Sequence, residues 1–409
     1  IYQSGIDSLF LFYFPESSTP AKPIYFQQEL AWGDPIVLQD LEPEPHTFIT
    51  VACSGSLEEL KEAVTYAHNI NKKIYVTVNI VFHDENLDGL KEYLIYLDKI
   101  NIDGIIASDI TVIKLVQELK LKFSVCLSTQ ASLLNSRAFK FWQSLGVTRV
   151  VPAREATRED LKRISKTGIE IETFIHGAMC TSISGKCILS NYVTNRDSNR
   201  GGCAQICRWE FASQDKPNFT IMPKDLNMVP FIKEEMGMGV KSFKIEGRMR
   251  SIYYIATVIL SYRKMIDAAN NNTLTKSDEK YYLKVLNRCA NRESTPQFFD
   301  KLPGVNEEYW QGRTEISNQD FLGLVLDYDD KTNYATIEVR NYFKKGDEVQ
   351  FIGPNIETFN YKINTIYNDQ DEIIDVCRHP KSIIKIKVSK KLNKFDMMRV
   401  KVFDKIINL

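Results

Sequence analysis

The feature that most constrains the fold is a regular alternation of amphipathic helical patterns with short, wholly apolar runs. After Ser54, LEELKEAVTYAHNI predicts a helix and KIYVTVNI a buried strand, and the pairing repeats as far as the helix SIYYIATVILSYRKMIDAA. Strands that are apolar throughout, separated by single amphipathic helices, indicate parallel pairing with both faces covered. This many units favours a (β/α) barrel of the TIM type over an open sheet.

Both ends of the chain depart from this alternation. Near the N-terminus, IDSLFLFYF and HTFITVA each predict a strand, with an irregular, proline-rich stretch between them. From Ser317 onward, short alternating segments separated by turn residues predict a small antiparallel β-barrel or sandwich. We therefore expect a (β/α)-barrel-like domain at 1–298, a linker at 299–316 and a C-terminal β-barrel domain at 317–409.

Composition narrows the classes of protein that fit. The chain has 409 residues, 44% of them apolar, which is enough for a large core and two domains. Basic and acidic residues number 52 each, so no global positive charge indicates a nucleic-acid partner. A dense basic cluster between Lys381 and Lys405 is either a solvated strand face or a phosphate-binding patch. No apolar run is long enough to span a bilayer, so we expect a cytoplasmic protein without a membrane partner.

Half of the eight cysteines lie in one short segment, HGAMCTSISGKCILSNYVTNRDSNRGGCAQICRWEF. Cys180 and Cys187 are separated by six residues, and Cys203 and Cys207 by three. Four thiolates in two pairs suit a tetrahedral sulfur site, which either zinc or an iron–sulfur cluster accepts. The wide first spacing slightly favours the cluster over a zinc knuckle. Four unliganded thiols are the weaker interpretation, because so many thiols among Gly, Asn, Ser and Arg are not typical of a core.

Polar residues that directly follow barrel strands point into one shared cavity at the carboxyl ends. Three of them are candidate catalytic residues, and each also has a purely structural interpretation. His176 transfers a proton or orients the cysteine segment, unless it is a hydrogen-bonded core histidine. Glu246 is a base or a salt-bridge partner. Gln130 binds a ligand carbonyl or caps the following helix.

The run from His176 to Trp209 resembles the signature of the collagenase-like peptidase family U32, and within that family it is most similar to the tRNA hydroxylation subgroup. Further blocks resemble the family in the same order: YVTVNI at 75–80, LSTQAS at 127–132, RVVPARE at 149–155, FKIEGRM at 243–249 and FIGP at 351–354. The resemblance covers roughly residues 54–405.

This resemblance implies a barrel domain followed by a small β-domain similar to domain II of translation factors. It implies a 4Fe–4S cluster on Cys180, Cys187, Cys203 and Cys207, and formation of 5-hydroxyuridine at the wobble position of the tRNA anticodon loop, with prephenate as co-substrate. Two other hypotheses stay open, a collagenase-like peptidase and a non-catalytic RNA-binding iron–sulfur protein. No Ser or Cys with a nearby His and acid forms a persuasive nucleophilic set for a peptidase.

Prephenate carries two carboxylates, so its pocket should offer Arg or Lys side chains. Arg154 and Arg248 are the leading candidates for this role, with Lys244 third. Scaffold ion pairs to nearby glutamates are the alternative for Arg248. Arg208, beside the cysteines, contacts tRNA phosphate, balances the charge of the cluster or is simply a solvated loop residue.

The chain departs from the family pattern in two places. Relatives usually begin with a strand and glycine turn resembling ELLAPAG, followed by a helix, and this chain shows neither. The first β/α unit is therefore expected to be absent, truncated or replaced, and barrel closure depends on what stands in its place. Many relatives also carry a cysteine after the KDL block, where this chain has Asn227, so the fourth ligand is assigned to Cys207.

Overall fold

The computed structural model describes residues 8–13, 48–51, 57–212, 217–247, 250–290, 292–309 and 320–401. An α/β domain of parallel strands and helices comes first, followed by an antiparallel β-domain. Its strands are β1 Ser8–Tyr13, β2 Phe48–Val51, β3 Lys73–Val78, β4 Gly104–Ala107, β5 Ser124–Leu127, β6 Arg149–Val150, β7 Glu170–Gly177, β8 Asp225–Asn227, β9 Ser242–Glu246 and β10 Ser294–Thr295. Its helices are α1 Leu57–Asn69, α2 Leu90–Lys99, α3 Ile110–Glu118, α4 Ser136–Ser144, α5 Arg158–Ile164, α6 Leu189–Thr194, α7 Ile232–Gly237, α8 Ile252–Asn270 and α9 Lys276–Cys289.

Eight of these strands pair in a closed ring. β1 to β7 pair in sequence, all in parallel. β9 pairs in parallel with both β1 and β7 and so closes the barrel. The predicted (β/α)-barrel class is confirmed, and β1 supplies the first strand that closure required. Residues 14–47, which connect β1 to β2, lie outside the described residues.

The inside of the barrel is packed by side chains from alternating positions of the strands. Tyr75, Ile106, Cys126 and Val151 form a buried interior cluster, against which Phe174 packs. Because successive residues of a strand point to opposite faces, their neighbours face the surrounding helices. Those outward residues join the large core between barrel and helices.

A buried charge network fills the remaining part of the interior. Lys244 Nζ lies 2.6 Å from Glu172 Oε1, and both side chains are fully buried. Arg149 Nη1 lies 3.6 Å from the other Glu172 oxygen. Taking charges out of water is costly unless they are paired, so these three residues are mutually dependent.

The second domain is an antiparallel β-structure with its own core. Its strands are β11 Phe321–Asp329, β12 Tyr334–Val339, β13 Phe343–Lys344, β14 Glu348–Gly353, β15 Ile356–Lys362, β16 Ile366–Tyr367, β17 Ile373–Ile374, β18 Val376–Cys377, β19 Ile383–Lys387 and β20 Met397–Val400. The core of the barrel domain continues into it through Leu324, Ile352, Phe395 and Met397. The two domains therefore share packed apolar contacts.

In the parts of the chain that the structure describes, no helix is both long and apolar enough to cross a membrane.

Candidate functional site

The carboxyl ends of β7 and β9 meet at Gly177. Its φ is +116°, and a Cβ placed there would overlap the backbone carbonyl of Glu246. Only glycine combines that backbone conformation with so close an approach. The end of β7 is therefore fixed beside Glu246, and the chain is led from there directly into the cysteine segment.

Arg154, which follows β6, is held at this mouth by three contacts. Its guanidinium lies 4.0 Å from the centre of the Phe174 ring. Nη1 donates to the Ala178 carbonyl at 2.7 Å, and Nη2 is 3.6 Å from Glu246 Oε2. Its buried Nε has no hydrogen-bond partner among the described residues. The side chain is thus oriented by the scaffold.

The cysteine segment is docked on the loops that surround the mouth. Glu155 accepts hydrogen bonds from Ser184, one from the backbone N–H and one from the hydroxyl, each at 2.8 Å. On the opposite side, Arg200 lies 3.6 Å from Glu85, which follows β3. The segment therefore reaches from the β6 loop to the β3 loop, across the end of the barrel.

The thiols of Cys180, Cys187 and Cys203 lie close enough to Cys207 to influence its pKa. Burial raises the pKa of the Cys207 thiol to about 11; Arg208 opposes this rise, and the charges of Cys180, Cys203 and Cys187 add to it. Burial also raises the pKa of Cys180, where the backbone N–H of Ser182 and the charge of Arg154 act in the opposite direction. Arg154 thus links the thiols to the barrel mouth.

The hydrogen-bond donors around the cysteines suit a metal centre that is bound by thiolates. Backbone N–H groups of Ser182 and Leu189 donate to the sulfurs of Cys180 and Cys187, each at 3.4 Å. Such N–H donors stabilise thiolates and tune cluster potentials. Among the described residues, however, no three His, Cys, Asp or Glu side chains are grouped so that they could hold a metal ion. The cluster stays a prediction, and its binding requires the thiols to draw together.

His176 does not join Arg154 and Glu246. The β7–β9 register shifts between Phe174 and His176, and this bulge turns the imidazole towards α8. Its Nδ1 lies 3.3 Å from the Tyr262 hydroxyl. Burial lowers its pKa to about 3, with a smaller contribution from Arg250. This environment is that of the alternative interpretation, a neutral core histidine.

The other predicted residues are placed differently from one another. Gln130 follows β5, where its backbone N–H donates to Ser128 Oγ at 3.3 Å, and its turn packs beside the docked cysteine segment. Lys244 lies inside the barrel with Glu172 as its partner, away from solvent. Arg208 donates to the side chain of Gln205. Arg248 lies outside the described residues.

Sequence reasoning missed a second polar cluster next to His176. Both Arg250 and Arg292 pair with buried Asp225, at 2.6 and 3.0 Å. The Arg250 guanidinium also lies 4.8 Å from the centre of the Tyr254 ring. Arg250 stood in the GRMR run, and only its proximity to Arg248 could have indicated it. Asp225 is the first residue of β8, and its partners come from distant parts of the chain.

Fold and site together define a two-domain (β/α)-barrel protein whose mouth is covered by a four-cysteine segment. The model of peptidase family U32 matches residues 52–309, and that of the U32 C-terminal domain matches residues 317–399. The chain belongs to peptidase family U32.

Curated relatives are similar over most of their length. The chain is 44% identical over 359 residues to tRNA hydroxylation protein P1 of Bacillus subtilis, covering 84% of this chain and 85% of the relative. It is 29% identical over 377 residues to tRNA hydroxylation protein P of Haemophilus influenzae, covering 78% and 81%. A solved C-terminal domain of a protein described as a U32 peptidase, from Geobacillus thermoleovorans, is 46% identical and covers 20% of this chain and 99% of that one, with a TM-score of 0.20.

Proposed function

We propose that this protein hydroxylates the wobble uridine of tRNA to 5-hydroxyuridine, using prephenate and a 4Fe–4S cluster held by Cys180, Cys187, Cys203 and Cys207. Family membership and the names of the relatives support a role in tRNA hydroxylation. The observation that carries the finer proposal is the position of Arg154. Its charge acts on the Cys180 thiol, while its side chain is fixed at the barrel mouth.

Arg154 is suited to bind a carboxylate of the co-substrate. A guanidinium offers planar, charge-assisted hydrogen bonds to carboxylates. Contacts with Phe174, Glu246 and the Ala178 carbonyl fix its orientation before any ligand arrives. Little side-chain entropy is then lost on binding. Glu246 would have to share Arg154 with the ligand, which places it as a positioning residue for that guanidinium.

Two exposed aromatic side chains of the cysteine segment are suited to contact RNA. Tyr192 is 81% exposed and Trp209 is 48% exposed, which is unusual for side chains of this size. Unpaired bases of RNA loops stack on such rings, and neighbouring arginines bind phosphate. Arg196 and Arg208 lie in the same segment. An anticodon loop resting on this surface would bring its base to the barrel mouth.

The proposed cluster would supply redox chemistry beside the base. The chain's own residues have separate tasks. Glu155 keeps the cysteine segment docked, Arg154 orients the anionic co-substrate, and the exposed rings of Tyr192 and Trp209 stack on the flipped base.

The environment of His176 does not support the peptidase hypothesis. His176, the histidine nearest the cysteine segment in sequence, is hydrogen-bonded to Tyr262, and burial lowers its pKa to about 3. A nucleophilic triad needs a histidine within hydrogen-bond reach of Ser or Cys and oriented by an acid. The geometry therefore favours the hydroxylase over the peptidase.

Mass spectrometry of tRNA nucleosides tests the proposal. A deletion strain complemented with the wild-type gene should contain 5-hydroxyuridine derivatives, and complementation with Cys207→Ala should not restore them. Cys377→Ala is the matched control, because Cys377 is buried in the β-domain, away from the segment. It should restore the modification. Unchanged 5-hydroxyuridine derivatives in the deletion strain would refute the hydroxylase function, and collagen cleavage that survives iron removal would favour the peptidase.

A further inference from the structure

A cavity of about 150 Å³ lies between the barrel domain and the β-domain. On one side it is bounded by helices α8 and α9, and on the other by strands β14, β15 and β20. Its polar lining includes Lys264, Tyr281, Gln350, Glu357, Asn360 and Arg399. None of these residues belongs to the barrel mouth or the cysteine segment. The cavity is therefore separate from the proposed catalytic site.

The guanidinium of Arg399 on the cavity wall is buried, with 2% of the residue exposed. Nε donates to Gln350 Oε1 at 3.1 Å, and Nη2 donates to the Tyr281 hydroxyl at 3.5 Å. It also hydrogen-bonds the Tyr253 hydroxyl, whose pKa burial raises to about 12 and the Arg399 charge lowers. Among the described residues, all of its hydrogen-bond partners are neutral.

Two acids of this interface, Asp320 and Glu357, are paired with other cations. The Asp320 carboxylate accepts two hydrogen bonds from Arg288, at 2.8 and 2.9 Å. Glu357, which also lines the cavity, is 89% exposed and lies 3.5 Å from Lys264. The cavity wall thus carries a buried guanidinium whose hydrogen-bond partners are neutral, and a second cation, Lys264, whose partner carboxylate extends into solvent. A buried charge is costly unless an opposite charge accompanies it.

We propose that this interdomain cavity binds a small oxyanion, the carboxylate or phosphate group of a free small molecule, with Arg399 as its principal contact. Lys264, at the edge of the cavity, assists by its charge, and the hydroxyls of Ser261 and Tyr281 line the same space. Arg399 is only 2% exposed, and this depth favours a free small molecule over the backbone of a nucleic acid, which would have to reach a buried guanidinium. Bound there, the anion would supply the missing negative charge and join the two domains.

Isothermal titration calorimetry on the full-length chain tests the proposal, with inorganic phosphate and malonate as probes at constant ionic strength. Saturable binding of at least one probe is expected, with sodium chloride as the blank titrant. Tighter binding of phosphate indicates a phosphate ligand, and tighter binding of malonate indicates a carboxylate. Absence of saturable binding for both probes would overturn the proposal.

Two variants identify the cavity as the site. Arg399→Met should weaken binding at least about tenfold, since charge-assisted hydrogen bonds are lost, and should leave the anion-free Tm unchanged or higher because an uncompensated charge disappears. Arg340→Met is the matched control: this β-domain arginine is paired with Glu338 and does not line the cavity. Its affinity should equal that of the wild type.

A second variant, Lys264→Met, tests the cavity as the binding site even if Arg399→Met does not fold. The Lys264 side chain is 30% exposed, so its replacement should leave the fold intact. Weaker binding of the preferred probe by several-fold is expected. Unchanged affinity in Lys264→Met together with unchanged affinity, or failure to fold, in Arg399→Met would refute the cavity as the binding site.

Discussion

The Glu155 carboxylate holds Ser184 through both the backbone N–H and the hydroxyl, each at 2.8 Å. This contact joins the loop after β6 to the cysteine segment, which Arg200 also ties to the loop after β3 through Glu85. It therefore helps to hold the segment over the mouth.

Glu155→Ala should release the segment without unfolding the barrel. Hydrogen bonds to a charged group contribute about 1.5–3 kcal/mol each, so local opening should become at least tenfold more frequent. Hydrogen exchange of the 180–207 amides and the iron and acid-labile sulfide content after reconstitution are the measurements. Glu159→Ala, at an exposed position of α5 paired with Lys162, is the control and should change neither. Equal exchange in both variants would show that Glu155 does not anchor the segment.

Arg154→Lys should impair co-substrate binding while the fold persists. Lysine keeps the positive charge but loses the planar fork that fits a carboxylate. We expect an apparent KM for prephenate raised about tenfold or more, measured as 5-hydroxyuridine formation in reconstituted reactions. Arg263→Lys, an ion-paired position on α8, should behave as the wild type. A change in kcat alone, with KM unaltered, would contradict a binding role.

Gly177→Ala should destabilise the barrel. Position 177 has a φ of +116°, and an added Cβ overlaps the Glu246 carbonyl. Backbone strain of this kind costs on the order of 1–3 kcal/mol, before the steric overlap is counted. Gly237→Ala is the matched control, because a Cβ there meets nothing within 4 Å. Denaturant unfolding should show a clear loss for the first variant and little change for the second.

Glu235 makes stability depend on pH. Burial raises its pKa to about 8; the Thr173 hydroxyl opposes this rise, and Glu234 adds to it. A carboxyl whose pKa is higher in the folded than in the unfolded state binds the proton more tightly when folded. Its contribution is complete below the unfolded pKa of 4.5 and is lost as pH rises through about 8.

Glu235→Gln removes this titration while keeping a similar shape. The free energy of unfolding of the wild type relative to the variant should therefore fall between pH 5 and pH 8. Thr173 donates to Glu235 Oε2 at 3.2 Å, and the amide oxygen can accept the same bond. A difference between the two proteins that is constant with pH would show that Glu235 does not titrate in this range.

The alternation of apolar strands and amphipathic helices was sufficient to favour a (β/α) barrel over an open sheet, but not to predict its closure. Hydrophobic periodicity is a local property, and parallel strands buried on both faces leave a clear local pattern. The two N-terminal strands were also found where their apolar runs indicated. Pairing of β1 with β9, which closes the ring, joins residues more than 200 positions apart and leaves no local trace.

Site residues could be predicted from the sequence only where the end of a strand marks the barrel mouth. Arg154 and Glu246 meet there because each directly follows or ends its strand. His176 was a candidate beside them because it lies at the end of its strand, with a core histidine as the alternative; the register shift after Phe174 turns it towards Tyr262. Lys244 was also expected at the mouth. It lies two residues before Glu246 on β9, inside the barrel, where it pairs with Glu172.

By itself, the sequence determined the element types, the barrel class and the four thiols of one segment, because these follow from local periodicity and residue chemistry. Only the tertiary structure decided which charges meet: Arg154 with Glu246, Lys244 with Glu172, and Arg399 with neutral partners in an interdomain cavity. Those pairings depend on a strand bulge and on the contact between two domains. Such features are set by packing over long sequence distances, which no local pattern encodes.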